Sequence, residues 1–197
     1  MYMIYKLKLL LFLGMVLLFS ACSDGPKPDE INAEEDLKCT RSGVPAPEWV
    51  CKNVKGDGMQ TAVGQSDFSR IGENFMLREA TSSGEKAMQK VVFDYIDDRL
   101  SSFARHMGGI VGTKIDTSVD TIADEVSSAM MEDYKQIKLW RNPTDSSIEV
   151  LMAVQNKNIN KNVRLKVMHL LKEDDAVYKA YLDGDGEDLL DEFLPLD

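Results

Sequence analysis

An α+β domain is what this sequence predicts: a small antiparallel sheet of about three strands, covered by a long helix in a two-layer sandwich. Three observations carry that expectation. From about Gly72 to Met107 apolar residues recur at spacings of three and four, with Met76, Ala80, Ala87, Val91 and Tyr95 on one row and Val92, Ile96, Leu100, Phe103 and Met107 on the next. From Ile148 to Val154 the spacing switches to two, with Ile148, Val150, Met152 and Val154 on one face and Glu149 on the other. Asn142-Pro143-Thr144-Asp145-Ser146-Ser147 is turn chemistry, and it joins that strand to a preceding one.

The chain begins with Lys6 and Lys8, a charge-free run from Leu9 to Phe19, and then Ser20-Ala21-Cys22. A short basic start, an apolar middle too short for a comfortable membrane span and small residues before the cut describe a secretory signal over residues 1–21. Phe19-Ser20-Ala21-Cys22 resembles a bacterial lipobox, with Phe19 where Leu is usual. That resemblance implies acylation of Cys22, each buried methylene contributing about 0.8 kcal/mol to membrane attachment. Ser23, rather than Asp, after the lipidated cysteine implies sorting to the outer membrane, as a lipid-anchored protein facing the periplasm or the exterior.

The signal holds two of the 23 basic residues and none of the 33 acidic ones, so residues 22–197 carry a formal charge of −12. So acidic a chain repels nucleic acid and anionic headgroups, which leaves the lipid as its link to the membrane. Residues 22–38 are rich in Pro and acid and poor in large apolar groups, the composition of a flexible tether. The folded domain is expected over 39–172. Cys39 and Cys51 are the two thiols left once Cys22 is acylated, and outside the cytoplasm such a pair is expected to form a disulfide. A zinc pair is disfavoured, since only His106 and His169 could complete it and no Cys-x-x-Cys occurs.

Between the cysteines, Pro45 and Pro47 impose an extended path, and Trp49 is expected to pack onto the domain. Gln60 to Ser66 follows a Gly56-Asp57-Gly58 turn as a first strand, and the small Ala62 and Gly64 predict something packed closely over it. Ser82-Ser83-Gly84 is the weak point of the long helix, because Gly costs about 1 kcal/mol against Ala in a helix interior. Gly108-Gly109 ends that helix, and Gly108 to Gly112 reads as a stop and turn. Val119, Ile122, Ala123, Val126, Ala129 and Met130 space a shorter helix capped by Asp116, Thr117 or Ser118. In the strand from Tyr134 to Trp140, Ile137 and Leu139 are expected on one face, with Gln136, Lys138 and Trp140 on the other. Ile159, Val163, Val167 and Leu170 then space a helix ending near Lys172.

Residues 173–197 contain ten acidic side chains and one basic one, interleaved with Val177, Tyr181, Leu190 and other apolar residues. Their helical spacing predicts a loosely docked terminal helix and a frayed end; an acidic recognition segment is the sharper alternative. Asp183-Gly184-Asp185-Gly186-Glu187 begins like a calcium loop, but Asp188 and Leu194 occupy the positions that want Gly and Glu. His106 and His169 lie in no catalytic pattern, and Asp97-Asp98 and Asp174-Asp175 diverge by about 100° on a helix. No cofactor, metal site or catalytic residue is therefore expected.

The order of elements, with Pro47-Glu48-Trp49-Val50, Ala62-Val63-Gly64-Gln65-Ser66, the long helix and a hairpin containing Trp140 and Val150 to Val154, resembles the twenty-kilodalton bacterial membrane-lipoprotein family over roughly residues 47–154. Gly84-Glu85-Lys86-Ala87-Met88 departs from the Ala-Arg and Leu-Ala pattern of that family's long helix. The resemblance implies a non-enzymatic structural or partner-binding module of the cell envelope, in a family with flagellum-associated members. Its partners would be other envelope proteins or a second copy, with a hairpin edge as one place for self-association. A cell-wall enzyme activator or hydrolase, and a carrier of small apolar ligands suggested by 11 methionines, are the alternatives.

Overall fold

The computed structural model describes residues 39–196, apart from 53, 55 and 57. The expected signal and tether, with Cys22, lie outside the described residues. The fold is α+β, a long helix packed on a three-stranded antiparallel sheet. In chain order it comprises β1 (Cys39–Arg41), β2 (Val44–Ala46), α1 (Glu48–Cys51), β3 (Met59–Ser66), α2 (Glu73–Met107), α3 (Gly109–Asp116), α4 (Val119–Ala129), a 3-10 turn (Met130–Asp133), β4 (Lys135–Arg141), β5 (Ile148–Gln155), α5 (Asn156–Lys172), α6 (Asp175–Asp183) and α7 (Gly186–Phe193).

The main sheet has the order β3-β5-β4, so β5 is central. Ala62 pairs with Met152 and Gly64 with Val150, which puts them on one face together with Ile148 and Val154. α2 lies on that face. The contact closes to backbone against backbone, because a Cβ on Gly64 would meet the Ala80 carbonyl oxygen at 2.1 Å and the Gly84 nitrogen at 2.3 Å. Gly84 therefore serves the packing, and the helix runs through Ser82-Ser83-Gly84 unbroken. Its buried residues fall every fourth position: Met76, Ala80, Gly84, Met88, Val92, Ile96 and Leu100. Such a row winds round the helix by about 40° per step, since 3.6 residues complete a turn. Besides the sheet, α2 packs on α3, α4 and α7.

The local elements follow from their residues, with instructive departures. Asn142 joins the β4–β5 turn by donating its N–H to the Ser147 carbonyl at 2.9 Å, and its Oδ1 accepts the Thr144 N–H at 2.9 Å. A bulge makes Ile137 the extra residue of β4, so Gln136 shares a face with Leu139 and Ile137 is left exposed. Residues 109–116 form α3 despite Gly108, Gly109 and Gly112. Gly112 is needed there, since a Cβ would meet the Ala104 carbonyl oxygen at 2.3 Å. Ser118 stands at the N-cap of α4 without a capping bond, its hydroxyl donating instead to the Lys114 carbonyl at 3.1 Å, and Ala129 is exposed while Ser127 is buried. Where a single loosely docked helix was expected, α6 and α7 are two, and Val177, Tyr181, Leu190 and Leu194 join the main core.

The second face of the sheet is covered as well. Thr61, Val63 and Gln65 pair with Ala153, Leu151 and Glu149, and every residue of β5 except Gln155 is buried. The cover is the segment from Cys39 to Cys51. Ser42 and Gly43 have φ of 50° and 78°, a two-residue turn that makes β1 and β2 a hairpin. Pro47 then leads into α1, which seats Trp49 and Val50 with Ala46 against Leu151, beside Val63 and Trp140. A disulfide joins Cys39 to Cys51, with the Cα atoms 6.3 Å apart.

Candidate ligand groove

Polar side chains gather in several regions of the described residues. The first is under the N-terminal cover. Glu149 is 2% exposed, and the Arg41 guanidinium donates to its Oε1 at 2.8 Å. Burial pushes the Glu149 carboxyl above the ordinary carboxylate value, and Arg41 pulls it back down. The pair stitches β1 to the sheet. On the opposite side of the molecule Tyr134, pushed up to about 12 by burial, donates to the Ser127 carbonyl at 2.7 Å and ties β4 to α4. Both are structural.

The second region is a groove where the start of β3, the middle of α2 and the β5–α5 junction meet. Its position is set by chain geometry: β5 ends at Gln155 and α5 begins at Asn156 without a connecting loop. The Asn156 N–H donates to the Gly58 carbonyl at 2.8 Å, and the Gln60 amide donates to Asn156 Oδ1 at 2.9 Å. Together these fix the first turn of α5 against the start of β3. One turn on, Asn160 is 1% exposed, and its Oδ1 accepts the Tyr95 hydroxyl at 3.0 Å. Its Nδ2 donates to the Pro195 carbonyl at 2.8 Å. A buried amide satisfied at both ends is a rigid post, and it holds α2, α5 and the C-terminal segment together.

The groove has two adjoining compartments that share Met59, Tyr95, Arg99 and Asn156. The larger, about 510 Å³, adds Lys157, Asn160 and Pro195 and has no carboxylate in its lining. The smaller, about 470 Å³, adds Gln60, Asp94 and Asp98. Arg99 sits between them, with its guanidinium 5.3 Å from the centre of the Tyr95 ring and one N–H directed to the Phe193 carbonyl at 3.4 Å. Neither Arg99 nor Lys157 pairs with a carboxylate among the described residues, whereas Asp94 is engaged by Lys90 at 2.9 Å. The arrangement has Lys157 at one end, Asp94 and Asp98 at the other, and Arg99 between them. That is recognition chemistry, and volumes near 500 Å³ suit small molecules.

The residues singled out in the sequence fall elsewhere. Cys39 and Cys51 clamp the cover on the far face of the sheet. His106 is held by the Ser102 carbonyl at 2.8 Å and meets the Phe193 ring at a tilt of 43°, the centroids 4.8 Å apart, and His169 is exposed. Gly186, in the stretch that resembles a calcium loop, packs against the Tyr181 ring. Among the described residues no group of three His, Cys, Asp or Glu side chains could hold a metal ion, and no helix is long and apolar enough to cross a membrane. As site residues, Tyr95, Arg99, Asn156 and Asn160 escaped the sequence reading because no short spacing links them; the one available signal was the asparagine-rich first two turns, Asn156 to Asn162, directly after a strand. No protein-family model matches the chain, and no curated protein or solved structure matches it.

Proposed function

We propose that the protein is a lipid-anchored component of the bacterial outer membrane that works without catalysis, as a structural or partner-binding module of the envelope. The observation that carries this reading is Phe19-Ser20-Ala21-Cys22 at the end of a charge-free run from Leu9 to Phe19. The Cys39–Cys51 bridge supports it, because a disulfide persists in an oxidising compartment. An acidic body supports attachment through lipid rather than through a basic patch. The sheet's helical cover and its clamped N-terminal cover suit a rigid body presented to other molecules. For self-association, β3 is the more suitable strand edge, since β4 carries a bulge and Lys135, Lys138 and Arg141, which discourage strand addition. The resemblance to the twenty-kilodalton lipoproteins, a family with flagellum-associated members, supports the flagellar base as one setting.

Metabolic labelling with a fatty acid tests the anchor. The intact chain takes up label and fractionates with outer membranes, and Cys22→Ala loses both. An unlabelled intact chain, or a Cys22→Ala chain that keeps label and membrane retention, overturns the proposal. Crosslinking in cells then identifies the envelope partners; a chain that crosslinks to none and stays monomeric counts against the module.

A further inference from the structure

We infer that the groove between α2, β3 and α5 binds the charged ends of an amino acid or short peptide, with its carboxylate on Arg99 and Lys157 and its ammonium on Asp98. The inference goes beyond the envelope reading and does not depend on Cys22. It starts from an imbalance: in a chain of net charge −10, the larger compartment has two cations and no carboxylate in its lining. A guanidinium presents its donors as a planar fork that matches a carboxylate. Tyr95 beneath that fork and the Phe193 carbonyl at its side restrict its movement, which reduces the ordering cost of binding. Asn156 adds an amide N–H2 at the same wall, its Oδ1 being already occupied by Gln60.

The adjoining compartment selects the ligand's other end. Asp98 is exposed and makes no ion pair among the described residues, while Asp94 is turned to Lys90. A polyanion such as a nucleotide or a free phosphate cluster would meet these two carboxylates, and an apolar ligand would bury their charges without a partner. A ligand with a carboxylate and an ammonium a few bonds apart satisfies both compartments.

The test uses the full chain in detergent, a mixed dipeptide library, and the same library N-acetylated or C-amidated, with retained peptides read by mass spectrometry after ultrafiltration. Free dipeptides are expected to be retained, and either blocked library about tenfold less, the effect of one charge-assisted contact. Arg99→Gln abolishes retention; Asp98→Asn keeps it but no longer discriminates against N-acetylated peptides. Asp98 is exposed, so this variant reads the site without loss of fold, and a melting curve verifies both. Cys22→Ala retains the library as the intact chain does, which separates this outcome from that of the anchor. Absence of retention by the intact chain, or equal retention of free and blocked libraries, overturns the inference.

Discussion

Replacing Gly64 with alanine adds one methyl group where β3 and α2 touch backbone to backbone. The new Cβ would lie 2.1 Å from the Ala80 carbonyl oxygen, 2.3 Å from the Gly84 nitrogen and 2.5 Å from the Gly84 Cα. None of these atoms is the end of a flexible side chain, so relief comes only from moving the helix. Ordinary contact begins near 3.4 Å, so α2 must lift by up to about 1.3 Å over β3. A gap of that size forfeits a quarter to a half or more of the dispersion energy of the atoms lining it, and Ala62, Met76, Met88 and Met152 belong to the same core. The cost falls at the upper end of overpacking, about 3 kcal/mol, equivalent to a melting temperature lower by about 6–12 °C for a domain of this size. Far-UV circular dichroism during heating measures it. Gly43→Ala is the control: nothing lies within 4 Å of its Cβ, and its φ of 78° costs only about 1–2 kcal/mol. A Gly64→Ala chain melting within about 2 °C of the parent, or above Gly43→Ala, refutes the close seating of α2.

Reduction of Cys39–Cys51 or its double serine replacement is expected to cost about 3 kcal/mol, the loop-closure value for a ring of this length, and to shift tryptophan emission to the red as Trp49 leaves Leu151. Trp49→Phe is expected to change stability by only about 1 kcal/mol, because the indole N–H is buried without a hydrogen-bond partner and its removal offsets the lost contact area; chemical denaturation measures it. Arg41→Met removes the cation beside Glu149 and is expected to cost about 1–2 kcal/mol at neutral pH, a buried-pair value discounted because Arg41 is 44% exposed. The sign of the pH effect follows from the raised carboxyl: the folded state takes up the proton more readily than the unfolded one, so the deficit of Arg41→Met shrinks as pH falls from neutrality through the raised value, read by denaturation at a series of pH values. Tyr134→Phe leaves the Ser127 carbonyl unpaired in the core and is expected to lower stability by about 1–3 kcal/mol in the same denaturation assay.

Periodicity made the central elements legible. The long helix and β5 stand where their spacing put them, but in the helix the expected row was partly off: Ala87, Val91 and Tyr95 are only half-buried, and the buried row passes through Gly84 and Met88 instead. The second buried face of β5 was harder to read. Leu151 and Ala153 share a row with Glu149, so that row looked half solvated, and its cover is a proline-containing segment whose two-residue turn, Ser42-Gly43, is a weak hairpin signal. Gly108, Gly109 and Gly112 hid α3, since glycine lowers helix propensity whether or not packing requires it. The bulge at Ile137 shifted one side chain to the other face without a breaker residue to announce it. The groove was the least legible part. Arg99 and Asn160 belong to different helices and meet only because Asn156 follows β5 directly and the C-terminal carbonyls turn back to them.

The bridge between Cys39 and Cys51 also decides how the body bears tension. A pull on the chain ahead of Cys39 crosses the sulfur–sulfur bond to Cys51, so the hairpin, Pro47 and Trp49 carry no load. Force enters the sheet at Met59, the first residue of β3, opposite Gln155 at the end of β5. With the bridge cut, the same pull would run through residues 40–50 and peel them from Leu151, releasing about 40 Å of extended chain before the sheet was loaded at all. The covalent shunt thus keeps the sheet's outer face closed while the molecule is stretched.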